Sequence, residues 1–147
     1  MDVDGVLSLF GFEQIPGPFH WIDGVMHCIP PAGGERLKRL AERYELVWAT
    51  GWEEKANEYL PHLLGLPERE LPCLAFDGRA VFGSAHWKLG AITQYAAERP
   101  AAWIDDNIDD ECREWARSRS APTLLVETDP AVGITDDHVE LLLAWPG

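Results

Sequence analysis

Chemistry is concentrated in a few short strings of the sequence. Near the start stands Asp2-Val3-Asp4-Gly5. Carboxylates at i and i+2 of an extended segment point the same way and call for a counter-charge, for which Mg²⁺ suits hard oxygen ligands. An acidic turn uses the same residues. An EF-hand loop does not fit, because it needs Gly at its sixth position and Gly5 is fourth. Further on comes Thr50-Gly51-Trp52-Glu53. Thr50 and Glu53 have capping-box spacing ahead of a helix, and the same geometry, free N–H groups beside a hydroxyl, is a phosphate site. Lys88 sits in His86-Trp87-Lys88. It is either a surface lysine or the cation that an acidic phosphate site requires. Asp105-Asp106-Asn107 closes the set. Adjacent carboxylates repel each other unless a cation is present, and a solvated acidic helix start is the alternative.

These residues need elements to hold them. Short apolar runs at 45–49, 73–76, 102–104 and 123–126 are bounded by turn residues and apolar on both faces, as buried parallel strands are. Helical periods lie between and after them, at Leu37 to Tyr44, Ala56 to Leu64, Leu89 to Ala96, Cys112 to Ala116 and Val139 to Leu143. Asp109 and Asp110 are placed to cap the fourth of these helices. Alternating strands and helices predict an α/β fold with a parallel sheet, whose ligands bind at the carboxyl ends of the strands. Each chemical string except the first follows one of these runs or opens one of these helices. Residues 8–31, rich in Phe, Gly and Pro, break the pattern. They read either as a hairpin or irregular loop packed on the domain, or as a flap whose Phe10, Phe12, Phe19 and Trp21 lie beside the site with Trp52.

The chain has 147 residues, 46% hydrophobic, which predicts one folded domain over 1–147 and excludes a disordered or fibrous chain. No membrane-length apolar run or leader pattern is visible, so a cytoplasmic location with no membrane partner is expected. The 12 basic and 25 acidic residues give a net charge of −13, which repels long polyanions and means that a phosphate ligand needs a local cation. Cys28, Cys73 and Cys112 have no metal-cluster spacing.

Taken in order, the acid pair, the threonine, the lysine and the second acid pair resemble the haloacid dehalogenase (HAD) superfamily of phosphohydrolases and phosphotransferases. The resemblance covers nearly the whole chain. It implies a Rossmann-like three-layer sandwich with a mainly parallel five-stranded sheet, and Mg²⁺ as cofactor. By the resemblance, Asp2 is the nucleophile and Asp4 the general acid/base. Thr50, with the Gly51 N–H, orients the phosphoryl group, and Lys88 steadies nucleophile and phosphate. Asp106 is the direct metal ligand beside Asp2 and the Asp4 carbonyl, with Asp105 behind it. Residues 46–57 and Gly133-Ile134-Thr135 resemble small bacterial members related to the phosphatase-like domains of RNA-repair proteins. The substrate expected on this basis is a phosphorylated small molecule or nucleotide, or a nucleic-acid end, with Trp52 available to stack a flat group.

Two departures stand out. The superfamily has a hydrophobic strand before its first acid pair, whereas only Met1 precedes Asp2 here, so a truncated first strand is expected. The segments at 8–31 and 65–87 are too short for a cap domain, so the site should be open. A non-catalytic binding or accessory protein with a relict site is the alternative function.

Overall fold

The computed structural model describes residues 1–67 and 70–147. A hairpin comes first, β1 (Phe19–Ile22) and β2 (Val25–Cys28), followed by α1 (Ala32–Ala41) and α2 (Lys55–Leu63). A 3₁₀ turn, His86–Lys88, leads into α3 (Leu89–Ala96). The chain ends with β3 (Ala101–Asp105), α4 (Asp110–Ser118), β4 (Thr123–Glu127) and α5 (Asp136–Ala144). Each of the five helical periods is a helix, and 102–104 and 123–126 are strands.

Only β3 and β4 form a parallel ladder among the described residues, from Ala101↔Thr123 to Asp105↔Glu127. The expected five-stranded sheet is therefore corrected. The runs at 45–49 and 73–76 meet in one parallel bridge, Trp48↔Cys73. Single hydrogen bonds continue the order: Ala49 N–H to the Met1 carbonyl at 2.8 Å, the Met1 ammonium to the Val47 carbonyl at 2.8 Å, and Asp2 N–H to the Ile104 carbonyl at 2.9 Å. The physical reason lies in residues 1–8. After Asp2 the chain turns, with Leu7 and Ser8 both donating to the Val3 carbonyl, so each neighbour gains one or two ladder bonds rather than a strand.

Side chains nonetheless alternate as in a sheet covered on both faces. Trp48, Ile104 and Val126 point into a core shared with Leu37, Leu60 and Val139, from α1, α2 and α5. Ala49, Leu74 and Trp103 point the other way, into a core with Ile92 and Cys112, from α3 and α4. No cap is formed among the described residues, and no helix is long and apolar enough to cross a membrane.

The hairpin turns on Asp23-Gly24, with φ of 50° and 79°, the pair of positive angles a two-residue turn of this kind requires. Asp109 caps α4 by accepting from Cys112 N–H, as its position predicts. Thr50 and Glu53 do not form the expected capping box. The Thr50 hydroxyl accepts from Trp52 N–H at 3.3 Å, and α2 starts later, at Lys55, with no side-chain cap. Glu53 lies at φ 48°, which closes a separate tight turn ahead of the helix.

Candidate active site

Asp2, Lys88 and Asp105 form the buried centre of the site. Asp2 leaves the short extended segment beside β3, Asp105 ends β3, and Lys88 rises from the 3₁₀ turn packed against them. The Lys88 ammonium donates to Asp2 Oδ2 at 2.8 Å and to Asp105 Oδ2 at 2.6 Å, and is 3% exposed. It is therefore no surface lysine. Burial pulls its pKa down, but the charges of Asp2 and Asp105 outweigh burial and hold it above the ordinary value. Asp105 is shifted upward by burial and by the charge of Asp2, with Lys88 opposing. Its Oδ1 accepts from Asn107 N–H at 3.0 Å, which fixes its other oxygen on the lysine.

Asp106 lies beside this centre. Asp2, Asp105 and Asp106 each present an oxygen, and these atoms lie within 4.8 Å of one another. Burial, then Asp105 and Asp2, push the Asp106 carboxyl up to about 6. Its approach depends on Gly5, which has φ 74°: a Cβ there would stand 2.3 Å from the Asp106 Cγ. Gly5 is held by Ser8, whose carbonyl accepts its N–H, and by the Thr128 hydroxyl, which donates to its carbonyl at 2.8 Å.

Asp4 is half-buried on the rim. Burial raises its pKa, and a hydrogen bond from the Trp52 indole to Oδ2, at 2.9 Å, opposes that rise. Thr50 is buried at the end of the segment bonded to Met1, and Gly51 is exposed, its α-carbon side facing Trp87. Trp87 packs edge-on against Phe76 and lies 5.4 Å from the Lys88 ammonium.

A family model described as "HAD domain in Swiss Army Knife RNA repair proteins" matches residues 1–139. The chain belongs to this family. No curated protein and no solved structure matches it. The HAD superfamily is one of phosphatase-type hydrolases that generally use Mg²⁺, and the donor set of this HAD domain fits such an ion. It consists of carboxylate oxygens alone, the Lys88 ammonium bonds two of the three acids, and burial and the charges of Asp105 and Asp2 push the third, Asp106, up to about 6. Gly5 supplies the gap in which Asp106 sits.

Sequence reasoning missed two contributors to this HAD domain's site. Gly5 reads as part of a turn, although its place after the acid pair was a usable signal. His27 had none, since only the hairpin fold carries it to the site, with its Nδ1 3.9 Å from Asp4 Oδ1. The expectation for the flap is corrected at this point. His27 reaches Asp4, while Phe10, Phe19 and Trp21 are exposed, Trp21 by 70%, and Phe12 pairs with Phe19 at 6.3 Å. Strand alternation turns His20 and His27 to one face and Phe19 and Trp21 to the other.

Proposed function

We propose that this HAD domain is a Mg²⁺-dependent phosphohydrolase that cleaves a phosphomonoester through an aspartyl-phosphate. The observation that carries the reading is the buried Lys88 ammonium bonded to both Asp2 and Asp105, with Asp106 gathered beside them. A structural ion pair needs neither the third carboxylate nor the glycine gap that admits it.

Asp2 attacks phosphorus, and the bond to the leaving oxygen breaks as Asp4 gives that oxygen a proton. Water then attacks the aspartyl-phosphate, Asp4 takes the water proton, and Asp2 is released as a carboxylate. Asp2 Oδ1 accepts from Val3 N–H at 2.8 Å, which fixes the direction from which the nucleophile faces the site. Lys88 holds Asp2 in an ion pair and offsets the incoming phosphate. Thr50 and the Gly51 N–H hold the phosphoryl oxygens as charge shifts onto them. Asp2, Asp106 and the Asp4 carbonyl, with Asp105 behind them, would hold Mg²⁺, whose charge lets two anions meet. Among the described residues no cap is formed, which favours an accessible phosphate, such as that of a nucleotide or a nucleic-acid end. The net charge of −13 disfavours a long polyanion.

The test is phosphate release from an aryl phosphate and a panel of nucleotides, with and without Mg²⁺. Release that requires Mg²⁺ and disappears in Asp2→Asn, at an unchanged melting temperature, is expected. Silence across the panel would overturn the reading and leave a binding role.

A further inference from the structure

The Trp52 indole is committed to Asp4. Its N–H donates to Asp4 Oδ2 at 2.9 Å. The ring is held from other sides as well. Its backbone N–H bonds the Thr50 hydroxyl at 3.3 Å, and the imidazole of His27 packs edge-on against it, with centroids 4.7 Å apart at 60°. His27 is fixed in turn, since its Nδ1 shares a hydrogen bond with the Ser8 hydroxyl at 2.8 Å. The hairpin thus braces an indole that braces the acid.

Asp4 needs such a brace. Its side chain is 49% exposed, follows no strand, and precedes a glycine at positive φ. A carboxylate in that setting rotates freely about its last torsion. We propose that Trp52 is the positioning residue for proton transfer by Asp4, occupying Oδ2 so that Oδ1 is the oxygen that gives and takes the proton. An indole N–H is only a donor. In a neutral carboxyl the carbonyl oxygen is the better acceptor, so the proton resides on Oδ1. The balance is simple. Oδ1–H protonates the leaving oxygen as the Asp2–phosphorus bond forms. Oδ1 then receives the water proton as that bond is cleaved. This inference rests on the phosphohydrolase reading, and it gives Trp52 a role other than stacking a flat group.

The variant Trp52→Phe keeps the ring against His27 and removes the donor. A poor leaving group depends on the acid, whereas an aryl phosphate depends on it much less. Trp52→Phe is therefore expected to lower kcat/KM, which reads the steps up to the aspartyl-phosphate, about tenfold more for an alkyl phosphate than for an aryl phosphate. The double variant Asp4→Asn/Trp52→Phe is expected to be no slower than Asp4→Asn alone. Equal losses of kcat/KM for both leaving groups, or a KM rise confined to nucleotides, would overturn the proposal. A second measurement needs no activity. The indole ¹H–¹⁵N resonance of Trp52 is expected to shift, and its exchange with water to quicken, in Asp4→Ala. An unmoved resonance overturns the proposal in an active enzyme. An inactive wild type overturns the phosphohydrolase reading and the proton-transfer role with it, and the resonance then separately reports whether Trp52 holds Asp4.

Discussion

Gly5 permits Asp106 to reach Asp2 and Asp105, because any side chain at that position occupies the space of the Asp106 carboxyl. Gly5→Ala also forces an L-residue to φ 74°, a strain of roughly 1–2 kcal/mol. Titration calorimetry is expected to show Mg²⁺ affinity reduced by tenfold or more in that variant, with a modest loss of stability. The proton on Asp106 sets a second expectation. An unfolded aspartate ionises near 3.9, roughly, while the folded protein holds this proton to about 6. Across that window the folded state binds more protons than the unfolded one. The contribution of Asp106 to metal-free stability is thus present below the unfolded value and is lost as pH rises through about 6. Mg²⁺ needs the ionised form, so its stabilising effect grows as pH rises through the same window. Melting curves at several pH values, with and without Mg²⁺, check both signs.

The helices were legible because each carries its apolar residues at helical spacing over several turns. So were β3 and β4, the two runs that pair directly with each other. The runs at 45–49 and 73–76 carry the same pattern without becoming strands, because pairing is a property of neighbours: residues 1–4 offer 45–49 few ladder bonds, and 73–76 meets 45–49 at one bridge. That Asp2, Lys88, Asp105 and Asp106 meet could be read from their order along the chain. Gly5, His27 and the indole bond of Trp52 could not, since they depend on how a turn and a hairpin direct single atoms. Asn57 compensates where the ladder is thin. From α2 its side chain accepts from the Trp48 indole at 2.9 Å and from Leu71 N–H at 2.9 Å, and it donates to the Leu71 carbonyl at 2.8 Å. Asn57→Ala leaves these groups unpartnered in a buried setting. A loss of about 2–4 kcal/mol is expected in urea unfolding, well above the effect of an ordinary surface substitution.

At the scale of the molecule, acids outnumber bases by 25 to 12. Surface arginines on and just after α1 recover part of this repulsion by clasping α5 and its two ends: Arg36 bonds Asp136 and the Ile134 carbonyl, Arg39 meets Glu140, and Arg43 bonds the Leu143 and Trp145 carbonyls. The remaining excess opposes compaction. Raising sodium chloride from about 0.02 to 0.5 M screens this repulsion and is expected to raise the melting temperature of the metal-free protein. A fall would mean that the α1–α5 clasp outweighs the net charge.

The loop that carries Asp2 and Asp4 is closed from the far end of the chain. Thr128 donates to the Gly5 carbonyl, and Ile134 N–H donates to the Val6 carbonyl at 2.9 Å. During translation the first acids are made long before the residues that hold them in place. At roughly 5–20 residues per second, Asp2 waits about 5–21 seconds for Asp105 and about 7–26 seconds for Ile134 to be polymerised. Throughout that interval the nascent chain has Asp2 but not the full set of groups that surround it in the fold. The acid cluster is therefore completed late, and a ribosome stalled before residue 128 carries a polypeptide whose Gly5 loop still lacks its ties to Thr128 and Ile134.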